Sequence, residues 1–351
     1  MIKNKVREFR LEDNAFDIIR YWAAISVMLG HYAWKIQSFT DNGKQFMVAI
    51  CKISVFFPGV VVLFSLSGYL VAASYERSKS PKDYFVKRVL RMYPELWVCT
   101  LVNLICIVIM AYNLLDRTIL LWIGTQFFGI ANTPSCLSDF ATGSVNGALW
   151  TIFTELQLYV VLGCVYKWIK KFSVKKWIFL FLFLIASNIL TDFFSQNMIG
   201  IAGELIGRLF LPYALWFFIG VFCYINREYV LPVLKKATVP LLIIYTIVYF
   251  IPVDIPGYYA NIAIGLLLPL IVIGGGYFLP KMRFSTDLSY EIFLYHWIVL
   301  NIMVHYDLIN RWSWWVCLMI FILGTFALSW ISWRYVGKGR RNKLQDKISI
   351  H

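Results

Sequence analysis

The chain has 351 residues, 60% hydrophobic and 15% charged, with a formal net charge of +14. A soluble domain is nearer half apolar and a quarter charged; this composition and the repeated apolar runs of about twenty residues exclude an ordinary soluble enzyme and predict an all-α, polytopic transmembrane helical bundle. Nucleic acid is not an expected partner of the positive charge, because the lysines and arginines gather between the apolar runs, where cytoplasmic loops facing a lipid bilayer concentrate them.

In chain order, residues 1–14 are a basic N-terminus carrying Lys3, Lys5, Arg7 and Arg10. The apolar run behind them is long and no small-residue cleavage site follows, so it reads as a retained span. The expected spans are 15–36, 54–75, 93–113, 147–168, 174–194, 204–225, 238–252, 257–279, 288–306 and 312–335. None shows the two-residue alternation of a barrel strand. Every second connection is basic: Arg77 to Arg91, Lys167 to Lys176, Arg227 to Lys236, Lys281 with Arg283, and the tail from Arg334 to Lys347. By the positive-inside rule both termini are cytoplasmic. Segment 117–130 is apolar but too short to span, and a crossing there would put two basic loops on opposite sides, so it is expected to be re-entrant or interfacial on the outer side. The domain reading is a single transmembrane region, 15–336, between basic ends 1–14 and 337–351.

The first span carries Arg20 and His31, eleven positions apart. Eleven steps make three helical turns with about 20° over, so the two share a face about 16 Å apart. Ionisable groups at membrane depth are costly and face a partner or a wet cavity; the structural alternative is a snorkelling arginine and a hydrogen-bonded core histidine. Arg88 and Arg91 stand three apart just before Tyr93 and Pro94, with Pro94 expected in the first turn of its helix. Two guanidinium groups on one face suit a phosphate-bearing cytosolic ligand, coenzyme A among them, and Arg20 lies at the same membrane level; the alternative is a topological anchor.

Glu155 lies about eight residues below the outer surface and His31 about five, a depth difference of about 5 Å at 1.5 Å per residue. A carboxylate that orients a histidine is a general-base arrangement, and a glutamate satisfied by neighbouring Trp or Tyr is the alternative. Ser67 and Gly68 favour tight helix contact, with a polar role for Ser67 as the sharper reading. His296 lies mid-membrane above Glu291, either lining the same cavity or bonded to a neighbouring helix; Glu204 and Arg208 are four apart and expected to neutralise each other. Span 257–279 holds Gly265, Pro269 and Gly274 to Gly276, read as close helix packing. The seven cysteines show no metal spacing, so no metal is expected; a Cys51–Cys136 disulfide between outward loops is the one pairing considered.

Together these residues resemble bacterial membrane acyltransferase family 3. The resemblance rests on Asp17 and Arg20 with ten residues before His31; Phe64 to Gly68; Arg88 and Arg91 before Tyr93 and Pro94; Leu149 and Trp150 before Glu155 and Tyr159; and Leu288, Ser289 and Leu294 to His296. It implies His31 as the catalytic residue and Arg20, Arg88 and Arg91 as binders of an acyl-CoA donor; Glu155, from its similar depth, is the second catalytic candidate, meeting His31 if their helices are neighbours. Asp17, Ser67, Trp150, Tyr159 and His296 are the candidate cavity-lining residues. The implied activity is O-acylation of a cell-surface or lipid-linked glycan from acetyl-CoA in the bacterial inner membrane, with lipopolysaccharide O-antigen as the expected acceptor. The chain ends soon after its last span and so resembles the form without a periplasmic hydrolase-like domain. The competing class is a transporter or flippase using the same buried groups as a relay, against which the lack of inverted repeats weighs.

Overall fold

Thirteen α-helices make up the long regular elements of residues 13–197, 206–253 and 255–338, which the computed structural model describes. The basic ends 1–12 and 339–351, and Glu204 of the expected Glu204–Arg208 pair, lie outside the described residues. In order the helices are α1 (Phe16–Ile36), α2 (Lys44–Phe56), α3 (Gly59–Glu76), α4 (Pro81–Ala111), α5 (Thr118–Phe127), α6 (Trp150–Ile169) and α7 (Val174–Asn197). Then follow α8 (Ala214–Ile225), α9 (Arg227–Phe250), α10 (Ile262–Phe278), α11 (Ser289–His305), α12 (Leu308–Arg311) and α13 (Trp314–Ser332). Among the described residues, six helical runs are long and apolar enough to cross a bilayer, with shorter apolar helices between them. The chain is a multi-pass membrane protein.

Local chemistry sets several boundaries differently from the sequence reading. Pro94 was expected in the first turn of a helix, yet α4 starts at Pro81 and carries Pro94 inside it. The start is made by Ser80, whose hydroxyl accepts the Asp83 amide at 3.1 Å, with Pro81 where a missing N–H costs nothing. Arg88 and Arg91 therefore stand on one face of a continuous helix. The span expected from residue 54 instead begins at Lys44 and is interrupted at Pro58, which restricts the residue before it and cannot donate to the turn behind it. Cys51 and Cys136 are not joined: Cys51 accepts from Gln37 at 3.3 Å and Cys136 from the Thr118 hydroxyl at 3.4 Å.

The chain divides into two compact units. The first holds Met1–Ala23, Phe56–Phe85 and Thr154–Thr286. Its centre is the crossing of α3 and α8, where glycines let backbones touch. A Cβ at Gly68 would strike the Phe217 carbonyl, and one at Gly220 would strike the Ser65 carbonyl. In a bilayer, where apolar side chains gain little by leaving lipid, such close approach is a main source of helix association. The glycines of α10 act in the same way: a Cβ at Gly274 would lie 2.8 Å from the Leu234 carbonyl, and Gly276 faces the Phe16 ring.

The second unit holds Ala24–Val55, Val86–Phe153 and Asp287–His351. Its centre is α11, buried along almost its whole length and packed on α13. Helix α5 runs back along α4: Trp122 packs with Ile107 and Ala111, the Phe127 ring stacks on Trp97 at 4.8 Å, and the Tyr93 hydroxyl donates to the Phe128 carbonyl at 3.3 Å. The chain then returns, so that Leu137 and Phe140 join the same cluster as Trp122 and Cys136 meets Thr118. Segment 117–130 thus runs back along α4 from the Ala111 end to Trp97 and Tyr93, and the residues after it bring the chain back to the Ala111 end.

Candidate functional site

His31 lies five residues before the end of α1, partly exposed, in the second unit. Its Nδ1 is 2.9 Å from Nε2 of His296, which is fully buried on α11. The two rings are near parallel, 14° apart. The His296 Nδ1 donates to the Ile292 carbonyl at 3.0 Å, one turn back on its own helix. Trp297 sets its ring edge-on to His31, centroids 5.0 Å apart. Its position needs Gly147, because a Cβ there would meet the indole at 2.5 Å.

The loop between α5 and α6 closes over this group. Trp297 Nε1 donates to the Thr142 hydroxyl (3.0 Å) and the Ser144 carbonyl (3.1 Å). Asn301 accepts from the Thr142 amide (3.3 Å) and hydroxyl (2.6 Å) and donates to the carbonyls of Ser144 (2.9 Å) and Val145 (3.0 Å). Asn146 donates to the Leu294 carbonyl at 2.9 Å. From α1, Lys35 reaches the Thr142 carbonyl at 3.1 Å, one turn beyond His31. The imidazole therefore sits between a rigid helix and a pinned polar loop.

In the same unit Arg88 is partly buried and Arg91 exposed on α4. Glu95 and Glu291 are buried, and both carboxylates lie close to Gly337, where an added Cβ would be 3.2 and 3.1 Å from them. Trp150 opens α6 directly after the turn in which the Asn146 side chain accepts the Ala148 amide at 3.3 Å.

The other expected residues belong to the first unit. Arg20 is ion-paired with Asp17, three residues earlier on α1. Glu155 accepts from the Ser67 hydroxyl at 2.5 Å and from the Tyr159 hydroxyl, and Ser67 and Tyr159 are themselves 3.2 Å apart. Ser67 is thus a polar partner of Glu155, while the tight packing expected of this stretch belongs to Gly68.

An acyltransferase domain matches residues 13–334, nearly the whole chain. The chain belongs to acyltransferase family 3. This acyltransferase is 26% identical over 352 residues to nodulation protein 10 of Rhizobium leguminosarum bv. viciae, covering 92% of each chain. It is also 26% identical over 161 residues to an O-acetyl transferase of Shigella phage Sf6, covering 43% of this chain and 45% of that one. No solved structure matches it.

The sequence reading of the acyltransferase missed Lys35, Thr142, Trp297 and Asn301. Lys35 was detectable, because it stands four residues after His31 on the same face. Thr142 and Asn301 were not, since 159 residues separate two groups that each look ordinary alone. Glu95 follows Arg91 by four, a spacing that marks it as a same-face neighbour.

Proposed function

We propose that this membrane acyltransferase moves an acetyl group from acetyl-CoA to a hydroxyl of a cell-surface or lipid-linked glycan, with a lipopolysaccharide O-antigen sugar as the acceptor. The observation that carries this reading is the His31 imidazole, held through one ring nitrogen by the fully buried His296 and flanked by a polar loop, in a chain of this family. His31 acts as general base on the acceptor hydroxyl. Arg88 and Arg91 hold the donor's phosphates, to which planar guanidinium groups are suited. Arg20 is the third donor-binding residue of this reading, and Glu155, with Ser67 and Tyr159, is the second group on which transfer depends. The name of the phage relative, an O-acetyl transferase, supports oxygen as the atom acylated. Both termini face the cytoplasm of a bacterial inner membrane in this reading, in keeping with the basic loops.

Transfer is direct: both substrates are bound together and no acyl-enzyme forms. The test uses purified protein in detergent with labelled acetyl-CoA, with and without glycan. Turnover should require the acceptor. It should fall by at least about 10²-fold in His31→Ala, the contribution typical of a general base, and by less in Glu155→Gln. Stable label on His31 without acceptor, chased off by glycan at a competent rate, would replace direct transfer by a two-step route. Absence of thioester turnover with any glycan would favour the transporter class, and full activity in His31→Ala would remove His31 from the chemistry.

A further inference from the structure

We propose that His296 is a positioning residue that fixes the tautomer of His31 and thereby makes Nε2 of His31 the basic nitrogen. The inference rests on the reading of His31 as the base. It follows from a chain of three groups. The Ile292 carbonyl can only accept, so the Nδ1 of His296, 3.0 Å away, carries a proton. A neutral imidazole has one N–H, which leaves the Nε2 of His296 a lone-pair acceptor. That nitrogen is 2.9 Å from Nδ1 of His31, so His31 must donate from Nδ1. Its own Nε2 is then unprotonated and able to take a proton. Histidine free in water favours the opposite form, with the proton on Nε2, so the arrangement selects the less common tautomer.

The surroundings hold the pair in register. His296 is fully buried on α11, and its ring cannot turn without losing the Ile292 carbonyl. Trp297 blocks one side of the His31 ring and is itself fixed by two hydrogen bonds to the outer loop. A neutral acceptor also has a physical advantage over a carboxylate at a fully buried position, because it orients the base without burying a charge.

The proton count closes. The acceptor O–H gives its proton to the His31 Nε2 as its oxygen bonds to the thioester carbonyl carbon. The carbon–sulfur bond then breaks, and the proton on Nε2 passes to the leaving sulfur, giving an ester and a free thiol. While His31 is an imidazolium, its Nδ1–H bond to His296 is charge-assisted and stronger. His296 ends the cycle unchanged.

The chain has four histidines, so ¹⁵N-histidine labelling of the full-length protein in nanodiscs gives a spectrum assignable by single substitutions. Both His31 and His296 should show the Nδ1–H form at neutral pH. In His296→Leu, His31 should move to the Nε2–H form, with kcat down about 10- to 100-fold, a part of what general-base catalysis supplies. KM for acetyl-CoA should stay within about twofold of wild type in that variant, because no donor contact is removed. His296→Gln, whose Oε1 can accept where Nε2 did, should recover most of the loss. An Nε2–H form of His31 in the wild type, or a tautomer indifferent to His296, would overturn the proposal even if His31 remains essential. The wild-type spectrum decides the matter should His296→Leu fail to fold. Activity without His31 would instead remove the reading on which the proposal stands.

Discussion

Asn301 is the residue through which the loop between α5 and α6 is most firmly tied to α11, and its loss costs a calculable number of hydrogen bonds. Asn301→Leu keeps the volume and removes four hydrogen bonds. Two of the abandoned groups keep a partner: the Thr142 hydroxyl still accepts from Trp297, and the Ser144 carbonyl still accepts from Trp297 and from the Thr142 hydroxyl. The Thr142 amide and the Val145 carbonyl are left without a protein partner among the described residues, and both residues are buried. At about 1–3 kcal/mol for each orphaned group the cost is roughly 2–6 kcal/mol, towards the low end if water enters. Local opening of residues 141–145 should then be easier by about 2 kcal/mol, or roughly thirtyfold in amide exchange. Hydrogen exchange read by mass spectrometry on peptides covering residues 141–145 tests this directly. Exchange of the Thr142 region within about twofold of wild type would refute the claim that Asn301 holds the loop. Since the same loop fixes Trp297 against His31, transfer should fall alongside the loss of protection.

Two further predictions concern topology and the donor. Thr118→Cys, with the other native cysteines except Cys136 replaced by Ser, should form an internal disulfide on mild oxidation, because the native contact is 3.4 Å. Opposite ends of a segment crossing about 30 Å of hydrocarbon could not be joined this way, so failure to cross-link would count against the re-entrant path. Arg88→Ala and Arg91→Ala should each weaken acetyl-CoA binding about tenfold, the scale of one charge-assisted hydrogen bond, and Lys should restore it only in part. Calorimetric titration measures the effect, and unchanged affinity in both would make the arginines topological anchors.

The amino-acid sequence by itself determined what depends on composition and helical period. Apolar runs of bilayer length require a helical bundle, since no other open structure satisfies its backbone in lipid. The placement of Arg20 with His31, and of Arg88 with Arg91, follows from 3.6 residues per turn once each pair lies in one helix, and α1 and α4 are continuous through them. Segment 117–130 was recognisable as too short to cross because length and the basic loops around it are local properties. What only the tertiary structure decided is which polar group meets which. His31 pairs with His296 across 265 residues, and Asn301 with Thr142 across 159. No periodicity links such positions; burial does, because a polar group removed from water must find its partner wherever the packed helices bring one. The start of α4 shows the same competition on a smaller scale: Pro94 alone suggests a helix beginning, but the cap at Ser80 and the packing of the unit carry the helix through it.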